Sequence, residues 1–322
     1  MNLMKYRWVF IGVFLLTMAL SVIFLFFNTF NGFGTKPGSS LNLGIDFTGG
    51  TKIYFPVPHA VTSSQVAAVL DDLQATQLPK LKYNAPQPGQ NPDSTGVVRY
   101  KVMVYTNFLN DSEQGIVIKA LEAKFGKAEK NQGLEVTRID PLIGKELVNK
   151  SLLAVLIASG LMLVYIWFRF ELVSGIGAVI ALLHDCLLVM GLMALLGMEM
   201  NAAIIAALLT ILGYSINDTI VVFDRIRENL KYRVKGTSFV ELVNDSLLQT
   251  FRRSLNTGMS AIMAVLVLFV LVPSLKELCF ALLVGMTSGT YSSFFIASPV
   301  WAIYKDWQER KKLAAKPAVA TR

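Results

Sequence analysis

The segment Gly213–Ile226, GYSINDTIVVFDRI, places a carboxylate inside an apolar run and so decides what kind of fold the chain adopts. Asp218 follows the charge-free stretch MNAAIIAALLTILGYSIN, and the chain stays apolar through TIVVF before charged residues return. A helix of ~20 predominantly apolar residues can cross the hydrocarbon core of a bilayer. The segment therefore indicates the end of a membrane-spanning helix that carries one ionisable side chain.

The composition of the chain supports this interpretation. Over 322 residues the hydrophobic fraction is 53%, the charged fraction is 16% and the mean hydropathy is +0.51. Soluble domains are about a quarter charged. Six windows are long and apolar enough to span a membrane, namely residues 8–27, 151–168, 172–198, 200–223, 254–275 and 278–304. The first window is longer than the ~7–15 residue core of a signal peptide, so we expect a retained helix. The sequence predicts an α-helical polytopic membrane protein with six transmembrane helices.

The basic residues predict the orientation of these helices, because cytoplasmic loops are enriched in Lys and Arg. With six spans, all the basic clusters fall on one side: Lys5, Arg7, Arg169, Arg225, Arg227, Lys231, Arg233, Lys235, Lys305, Arg310, Lys311 and Lys312. The opposite short turns hold only Glu199 and the pair Lys276/Glu277. We therefore expect both termini in the cytoplasm of a multi-pass protein. The net charge of +8 is explained by these loops and gives no reason to expect nucleic-acid binding.

The stretch between the first two helices is long enough to form a domain of its own on the outer side. We divide the chain into residues 1–30 (N-terminus and first helix), 31–145 (outer domain), 146–304 (helices two to six, with a cytoplasmic loop near 224–245) and 305–322 (cytoplasmic tail). Within the outer domain, strands are predicted at 51–57, 80–84, 97–106 and 134–140, and helices at 62–75 and 111–126. The order β-α-β-β-α-β is typical of a ferredoxin-like α+β sandwich.

Helix-capping patterns support the two helices of the outer domain. Thr62 and Gln65 form the spacing of a capping box, which satisfies free backbone N–H groups at a helix start. Asp111 and Gln114 offer the same spacing at the second helix.

Enzyme chemistry is not indicated. The chain contains no HExxH and no GxSxG string, and its two histidines are His59 and His184. Both cysteines, Cys186 and Cys279, fall in predicted membrane helices, so the outer domain has no disulfide. We predict no enzymatic activity, no metal site and no cofactor.

Four strings resemble a known family. They are LGIDFTGGT (43–51), ALLHDCLLVMG (181–191), SINDTIVVFDRIREN (215–229) and QTFRRSLNTG (249–258), in this order among six helices. Together they resemble the SecD/SecF family of the bacterial protein-export machinery, within the resistance-nodulation-division superfamily, and the short outer domain favours the SecF branch. The resemblance covers nearly the whole chain, from the first helix to the sixth.

The resemblance implies a function and partners. It implies a subunit of the Sec pathway in the bacterial inner membrane that uses the proton motive force, together with SecD, in late steps of polypeptide translocation. SecD would supply a second set of six helices. The SecY/SecE/SecG channel, SecA, YajC, YidC, membrane lipid and the translocating preprotein are further implied partners. An alternative is a proton-driven small-molecule or lipid exporter subunit of the same superfamily, and a purely structural scaffold is a third interpretation.

The buried charges are the candidate functional residues. A central Asp in a membrane helix costs roughly 2.5–3.5 kcal/mol and usually marks an ion or substrate path. Asp218 is the first candidate and Asp185 the second. Arg253 lies at similar depth on the next, antiparallel helix and is a natural counter-charge; a fixed ion pair or a helix-end carboxylate is the structural alternative for Asp218. The resemblance implicates Asp218 and Arg253 in proton conduction, and the doubled arginine leaves Arg252 as an alternative to Arg253. Asn217 and Thr219 are positioned to form hydrogen bonds nearby, and Asp185 is a further candidate for the proton relay.

The glycine-rich string after the first helix is treated as a structural join between that helix and the outer domain. Its residues are Gly44, Asp46, Phe47, Gly49 and Gly50. Two adjacent glycines permit a tight turn or a close approach of backbones. No Lys-Ser/Thr follows in the pattern of a phosphate-binding loop, so we do not expect a nucleotide site.

Overall fold

The structure is a computed structural model that describes residues 3–31, 41–84, 86–92, 98–126, 134–234 and 237–314. The chain divides into two compact units. The helical unit comprises residues 1–27, 154–198 and 203–322, and the sheet unit comprises residues 28–153 and 199–202.

The elements are numbered in chain order. The helices are α1 (Arg7–Asn31), α2 (Ile45–Thr48), α3 (Ser63–Thr76), α4 (Asp111–Phe125), α5 (Pro141–Arg169), α6 (Leu172–Leu195), α7 (Ala202–Lys231), α8 (Phe239–Leu271), α9 (Lys276–Ser292) and α10 (Ser298–Ala314). The strands are β1 (Asn42–Leu43), β2 (Gly50–Val57), β3 (Gln87–Pro92), β4 (Val98–Thr106), β5 (Glu135–Ile139) and β6 (Glu199–Met200).

The prediction of six membrane-spanning helices is confirmed. Within the described residues, six helical segments are long and apolar enough to cross a bilayer. The sixth extends over Pro273–Lys311 and is built from α9, a π-helical segment at Ser293–Ala297, and α10. Short π-helical insertions are rare and occur frequently at functional sites. Nothing in the apolar run of the sequence indicates this interruption.

The helical unit has a centre and a periphery. About half of the apolar window is buried in α6 (50%), in α7 (50%) and in the sixth span (56%), against 6% in α5 and 11% in α8. Trp301 anchors the centre at one end, with its ring 5.1 Å from that of Phe223 and 5.6 Å from that of Phe239. The unit therefore buries the helices that carry Asp185 and Asp218 and leaves the broad apolar surfaces of α5 and α8 exposed.

The sheet unit is a four-stranded antiparallel sheet with strand order β3-β4-β2-β5 and with α3 and α4 packed on it. Its core is formed by apolar residues of the central strands and of the two helices, such as Ile53, Phe55, Leu70, Val104 and Val117. Side chains alternate across a strand, so β2 buries every second residue. The order β-α-β-β-α-β predicted from the sequence is the order observed from β2 to β5.

Two details of the prediction are wrong. The stretch 80–84 forms only an isolated bridge, between Tyr83 and Thr106, and the second strand is β3, which lies between the strands predicted at 80–84 and 97–106. Pairing with the free edge of β4 outweighs the turn propensity of its Pro and Gly residues. The capping box of α3 is confirmed at Thr62. That of α4 is formed by Asn110 and Glu113, one residue earlier than predicted, and Asp111 instead pairs with Arg138.

A second, two-stranded sheet pairs β1 with β6 in parallel. Asn42 is opposite Glu199, and Leu43 is opposite Met200. The short connection between α6 and α7 is therefore an integral part of the sheet unit, although 156 residues separate Asp46 from Ala202. No sequence pattern in a two-residue strand could predict this pairing.

Candidate functional site

Asp218 lies on the buried face of α7 with a side chain surrounded by hydroxyl groups. The residue is 2% exposed, and the Thr290 hydroxyl on α9 donates to its Oδ2 at 3.2 Å. The Ser254 hydroxyl on α8 lies close by without the full geometry of a hydrogen bond. Within the described part of the chain, the partners of this carboxylate are therefore neutral hydroxyl groups.

Arg253 does not contact Asp218. Its side chain is exposed, as is that of Arg252, and within the described residues neither arginine forms an ion pair with Asp218. Successive residues on a helix point ~100° apart, so the approach of Ser254 to Asp218 turns Arg253 away. Ser254 lies near Asp218, so its neighbour Arg253 lies at about the same depth in the helical unit as Asp218. The structure thus brings the two residues to one level without pairing them.

The two neighbours of Asp218 have different environments. Asn217 is exposed, whereas Thr219 is buried, with its hydroxyl 2.8 Å from that of Ser293 and donating to the Ser215 carbonyl at 3.1 Å. Thr219 therefore ties α7 to the start of the π-helical segment, and Asn217 does not take part in the buried site.

Asp185 forms a second and more highly connected centre. The residue is completely buried on α6, and three serine hydroxyls donate to its carboxylate. Ser215 of α7 lies at 2.7 Å, Ser288 of α9 at 2.5 Å and Ser292 of α9 at 2.8 Å. One carboxylate therefore joins α6, α7 and α9 inside the membrane-spanning part of the chain.

His184 links this centre to α1. Its Nδ1 lies 3.2 Å from Oδ1 of Asp185, and its Nε2 lies 2.9 Å from the Thr17 hydroxyl. Adjacent helical residues point ~100° apart. The structure gives them separate partners on α1 and on α7 and α9, and they also contact each other.

The serines of α9 were missed by the sequence interpretation. The segment SGTYSS (288–293) supplies three of the partners described above. Ser288 contacts Asp185, Thr290 contacts Asp218 and Ser293 contacts Thr219. The overlapping string GMTSG (285–289) also has the small-xxx-small spacing of a helix-packing motif, and a Cβ on Gly289 would lie 2.9 Å from the Ser215 side chain. Alternating hydroxyl residues in an otherwise apolar helix are the signal that could have identified them.

The glycine-rich join holds the start of α7. Asp46 accepts a hydrogen bond from the backbone N–H of Ala202 at 2.8 Å, and Gly44 donates its N–H to the Met200 carbonyl at 2.8 Å. A carboxylate at a helix N-terminus satisfies a free N–H and interacts favourably with the helix dipole. Gly49 has a φ of 68°, and a Cβ there would lie 2.5 Å from Cα of Pro141. Phe47 is buried.

Glu199 also belongs to this join, and its role was not predicted from the sequence. Its carboxylate lies 2.8 Å from Nζ of Lys52 and accepts a hydrogen bond of 2.7 Å from the Tyr105 hydroxyl. Burial alone would lower the Lys52 pKa, but hydrogen bonds and the Glu199 charge outweigh it, so the pKa is raised above its ordinary value. Burial, and then the Glu199 charge, raise the pKa of Tyr105. The helix that carries Asp218 therefore begins at a buried ion pair of the sheet unit.

Asp185, His184 and Asp218 are the ionisable side chains of this site. Within the described residues, no three His, Cys, Asp or Glu side chains come together as metal ligands would. Six apolar helices with two buried carboxylates on adjacent central helices define a multi-pass membrane protein with ionisable groups in its interior.

The particular family follows from comparison with known proteins. Residues 117–307 match the family described as "Protein export membrane protein SecD/SecF, C-terminal", and residues 41–57 match the "SecD/SecF GG Motif". The protein translocase subunit SecF of Alicyclobacillus acidocaldarius is 35% identical over 308 residues, covering 95% of this chain and 92% of that protein. The chain therefore belongs to the SecD/SecF family of protein-export membrane proteins.

Other relatives are longer than this chain. The protein translocase subunit SecF of Koribacter versatilis is 44% identical over 185 residues, or 57% of this chain and 46% of that protein. The crystal structure of SecDF, a translocon-associated membrane protein from Thermus thermophilus, superimposes with a TM-score of 0.78 at 31% identity. It matches 95% of this chain, which spans only 39% of the SecDF chain.

Proposed function

We propose that this subunit of the Sec protein-export machinery uses the proton motive force, together with SecD, to drive late steps of polypeptide translocation. The observation that carries the proposal is Asp218, a buried carboxylate on a membrane-spanning helix whose partners within the described residues are neutral hydroxyls. Ionisable residues inside a membrane usually lie on ion or substrate paths. Asp218 would be the proton-accepting group.

A proton that crosses the membrane supplies enough free energy to change the packing of helices. It releases about 2.3 kcal/mol per 100 mV of membrane potential, in addition to any contribution from a pH gradient. Protonation removes the charge of Asp218 and so changes its preference for a nearby cation. A local change of charge of this kind can shift the balance between two helix packings.

Arg253 would be that cation. It lies on the exposed side of α8 at the level of Asp218, in a row of polar residues with Asn256, Thr257 and Ser260. Residues spaced by three, four and seven share one helix face. Lipid does not tolerate such a face well, so we propose that it meets the six helices of SecD. The SecDF relative, in which a chain of this kind makes up 39% of the length, supports this partner.

The remaining assignments are parts of the same proposal. The sheet unit would be a ferredoxin-like periplasmic domain, which its strand order β3-β4-β2-β5 supports. The chain would lie in the bacterial inner membrane with both termini cytoplasmic, which the Lys and Arg distribution supports. The translocating preprotein, the SecY/SecE/SecG channel, SecA, YajC and YidC are proposed contacts whose surfaces the geometry does not distinguish.

The test is export of a preprotein into inner-membrane vesicles with and without a proton gradient. Asp218→Asn keeps the size of the side chain but removes its charge, so it should abolish the stimulation by the gradient while the subunit still assembles with SecD. Arg253→Lys keeps the charge but loses the planar guanidinium, and it should reduce the stimulation.

Asp245→Asn is the matched control, because Asp245 is an exposed carboxylate on α8. It should leave the response to the gradient unchanged. Full stimulation in a normally assembled Asp218→Asn protein would show that Asp218 is a structural residue and that the proton passes elsewhere.

A further inference from the structure

The geometry around His184 fixes where one proton lies. The Thr17 hydroxyl is 3.0 Å from the carbonyl oxygens of both Val13 and Phe14 and 2.9 Å from Nε2 of His184. A helical threonine commonly donates its single hydroxyl hydrogen to such a carbonyl. In that arrangement Thr17 has only a lone pair to offer to His184, and Nε2 carries a hydrogen and donates it.

The contact between His184 and Asp185 then requires a second proton. A neutral imidazole that is protonated at Nε2 presents a lone pair at Nδ1. That lone pair lies 3.2 Å from Oδ1 of Asp185, and an ionised carboxylate would present another lone pair to it. The contact is favourable only if a proton lies between them, either as an imidazolium that donates to a carboxylate or as a carboxylic acid that donates to an imidazole. Both forms are electrically neutral as a pair.

Burial favours the neutral pair. His184 is 1% exposed and Asp185 is 0% exposed, and an unpaired charge at such a site is costly. The hydroxyls of Ser215, Ser288 and Ser292 stabilise the carboxylate form, and the charge of that carboxylate compensates the neighbouring imidazolium. The cationic residues of α1, α7 and α9 lie near the helix ends: Arg7, Arg225, Arg227, Lys231 and Lys276. The titratable groups nearer to the pair along these elements are Cys186 on α6, Tyr214 and Asp218 on α7, and Tyr291 on α9, whereas α1 contributes Thr17 and the ring of Phe14. None of these supplies a positive charge that would stabilise a bare carboxylate.

We propose that His184 and Asp185 form a proton-binding site that holds one shared proton between Nδ1 and Oδ1. The site lies on the same helices that hold Asp218. Ser215 precedes Asp218 by three residues on α7, and Ser288 and Ser292 flank Thr290, the donor to Asp218, on α9. Loss of the shared proton would change the hydroxyl donors of both helices. Its use in export rests on the function proposed above, but its occupancy does not.

Nitrogen-15 NMR of the imidazole tests the occupancy directly. The chain has two histidines, so His59→Gln, which changes an exposed residue of the sheet unit, leaves His184 as the single signal. The whole chain is labelled with nitrogen-15 histidine, placed in lipid nanodiscs and measured between about pH 5 and pH 9, a range that brackets the ordinary histidine pKa of ~6.5. We expect Nε2 to be protonated throughout, and Nδ1 to show the shift of a protonated or strongly hydrogen-bonded nitrogen.

The opposite tautomer would overturn the proposal. If Nε2 is bare and Nδ1 alone carries the hydrogen, Thr17 donates to the ring and Asp185 is a permanent carboxylate. Adding Asp185→Asn should change the Nδ1 signal and leave Nε2 protonated, whereas the matched Asp245→Asn should change neither. The tautomer in the His59→Gln chain decides the matter even if Asp185→Asn does not fold.

The use of the site is tested separately by export into vesicles. Asp185→Asn should reduce the gradient-dependent stimulation several-fold while Asp218 is intact. Absence of stimulation in the unsubstituted protein would contradict the proposed function and leave the NMR result standing. Full stimulation in an assembled Asp185→Asn protein would show that the shared proton is not used in export.

Discussion

Asp218 and Asp185 illustrate two ways to keep a carboxylate inside a bundle of apolar helices. Asp185 is fully buried, with three serine donors and an adjacent imidazole. Within the described residues Asp218 has one hydrogen bond, at 3.2 Å, from Thr290. The free energy of a buried charge depends on the number and quality of its donors. Asp185 is therefore the more strongly held of the two carboxylates.

The sequence could identify the carboxylates but not their partners. An ionisable residue in an apolar run is conspicuous, so Asp218 and Asp185 are predictable. Serine and threonine are common in membrane helices and carry no charge, so the roles of Ser215, Ser288 and Thr290 follow only from the packing. Similarly, depth along α8 was the reason to expect Arg253 near Asp218, but depth does not determine which way a side chain faces.

Tyr83 of the sheet unit provides a prediction of pH dependence. Its hydroxyl donates to Asp71, and burial, followed by this hydrogen bond, raises the pKa of Tyr83 from 10.0 to about 12. A raised pKa means that the stabilising contribution is complete below pH 10.0 and is lost as the pH rises through about 12. The absorbance of tyrosinate in a soluble protein of residues 40–143 should show Tyr83 as a late-ionising group, in addition to the buried Tyr105.

Two substitutions assign that group. Tyr83→Phe should remove it from the titration, and Asp71→Asn should lower the pKa of Tyr83, because the amide does not carry the negative charge that opposes ionisation. If Asp71→Asn leaves the late transition unchanged, burial alone determines the pKa of Tyr83.

At the scale of elements, the start of α7 is the feature that the sequence could not predict. The glycine-rich join was expected to connect a helix to the outer domain through neighbouring residues. Instead Asp46 caps α7 at Ala202, and β1 pairs with β6, so the join also fixes the connection that leads into the helix of Asp218. Strands of two residues have no periodicity, and a buried Glu in a short turn resembles any surface Glu in the sequence.

This arrangement predicts that the segment between the first two membrane helices does not form the complete sheet unit without residues 199–202. A soluble protein of residues 40–143 should unfold cooperatively, because its core of Ile53, Phe55 and Leu70 is contained within it. It lacks Glu199, however, and leaves Lys52 as a buried cation without its partner. Joining residues 198–202 through a Gly/Ser linker should raise its free energy of unfolding, measured by urea denaturation.

Glu199→Gln in the joined protein tests the cause of that gain. The two side chains are 14% (Lys52) and 9% (Glu199) exposed, so removing one charge breaks a largely buried pair and should cost about 3 kcal/mol. Glu135→Gln, at an exposed position of β5, is the matched control and should have little effect. Equal stability of the joined and unjoined proteins would show that β6 contributes nothing to the sheet unit.

At the scale of the whole molecule, α8 combines an apolar exposed surface with a polar row. Only 11% of its apolar window is buried, and Arg253, Asn256, Thr257 and Ser260 lie on its exposed side. A helix of this kind is stable in a membrane only if its polar row meets protein or water. The sequence predicted that six helices are half of an assembly, and the exposed row indicates which surface remains to be covered.

Photo-crosslinking can locate that surface. A photoreactive amino acid at Thr257 should crosslink to co-expressed SecD, because Thr257 lies one turn beyond Arg253 on the polar row. The same probe at Leu255, which is 40% exposed and two residues away, is the control. Two residues correspond to ~200° of rotation, so Leu255 lies on the opposite side of α8 and should give a several-fold lower yield with SecD. Because both positions have the same depth, a difference in yield measures direction and not depth. Equal yields at the two positions would mean that the polar row is not the SecD-facing side, and Arg253 would then need another partner.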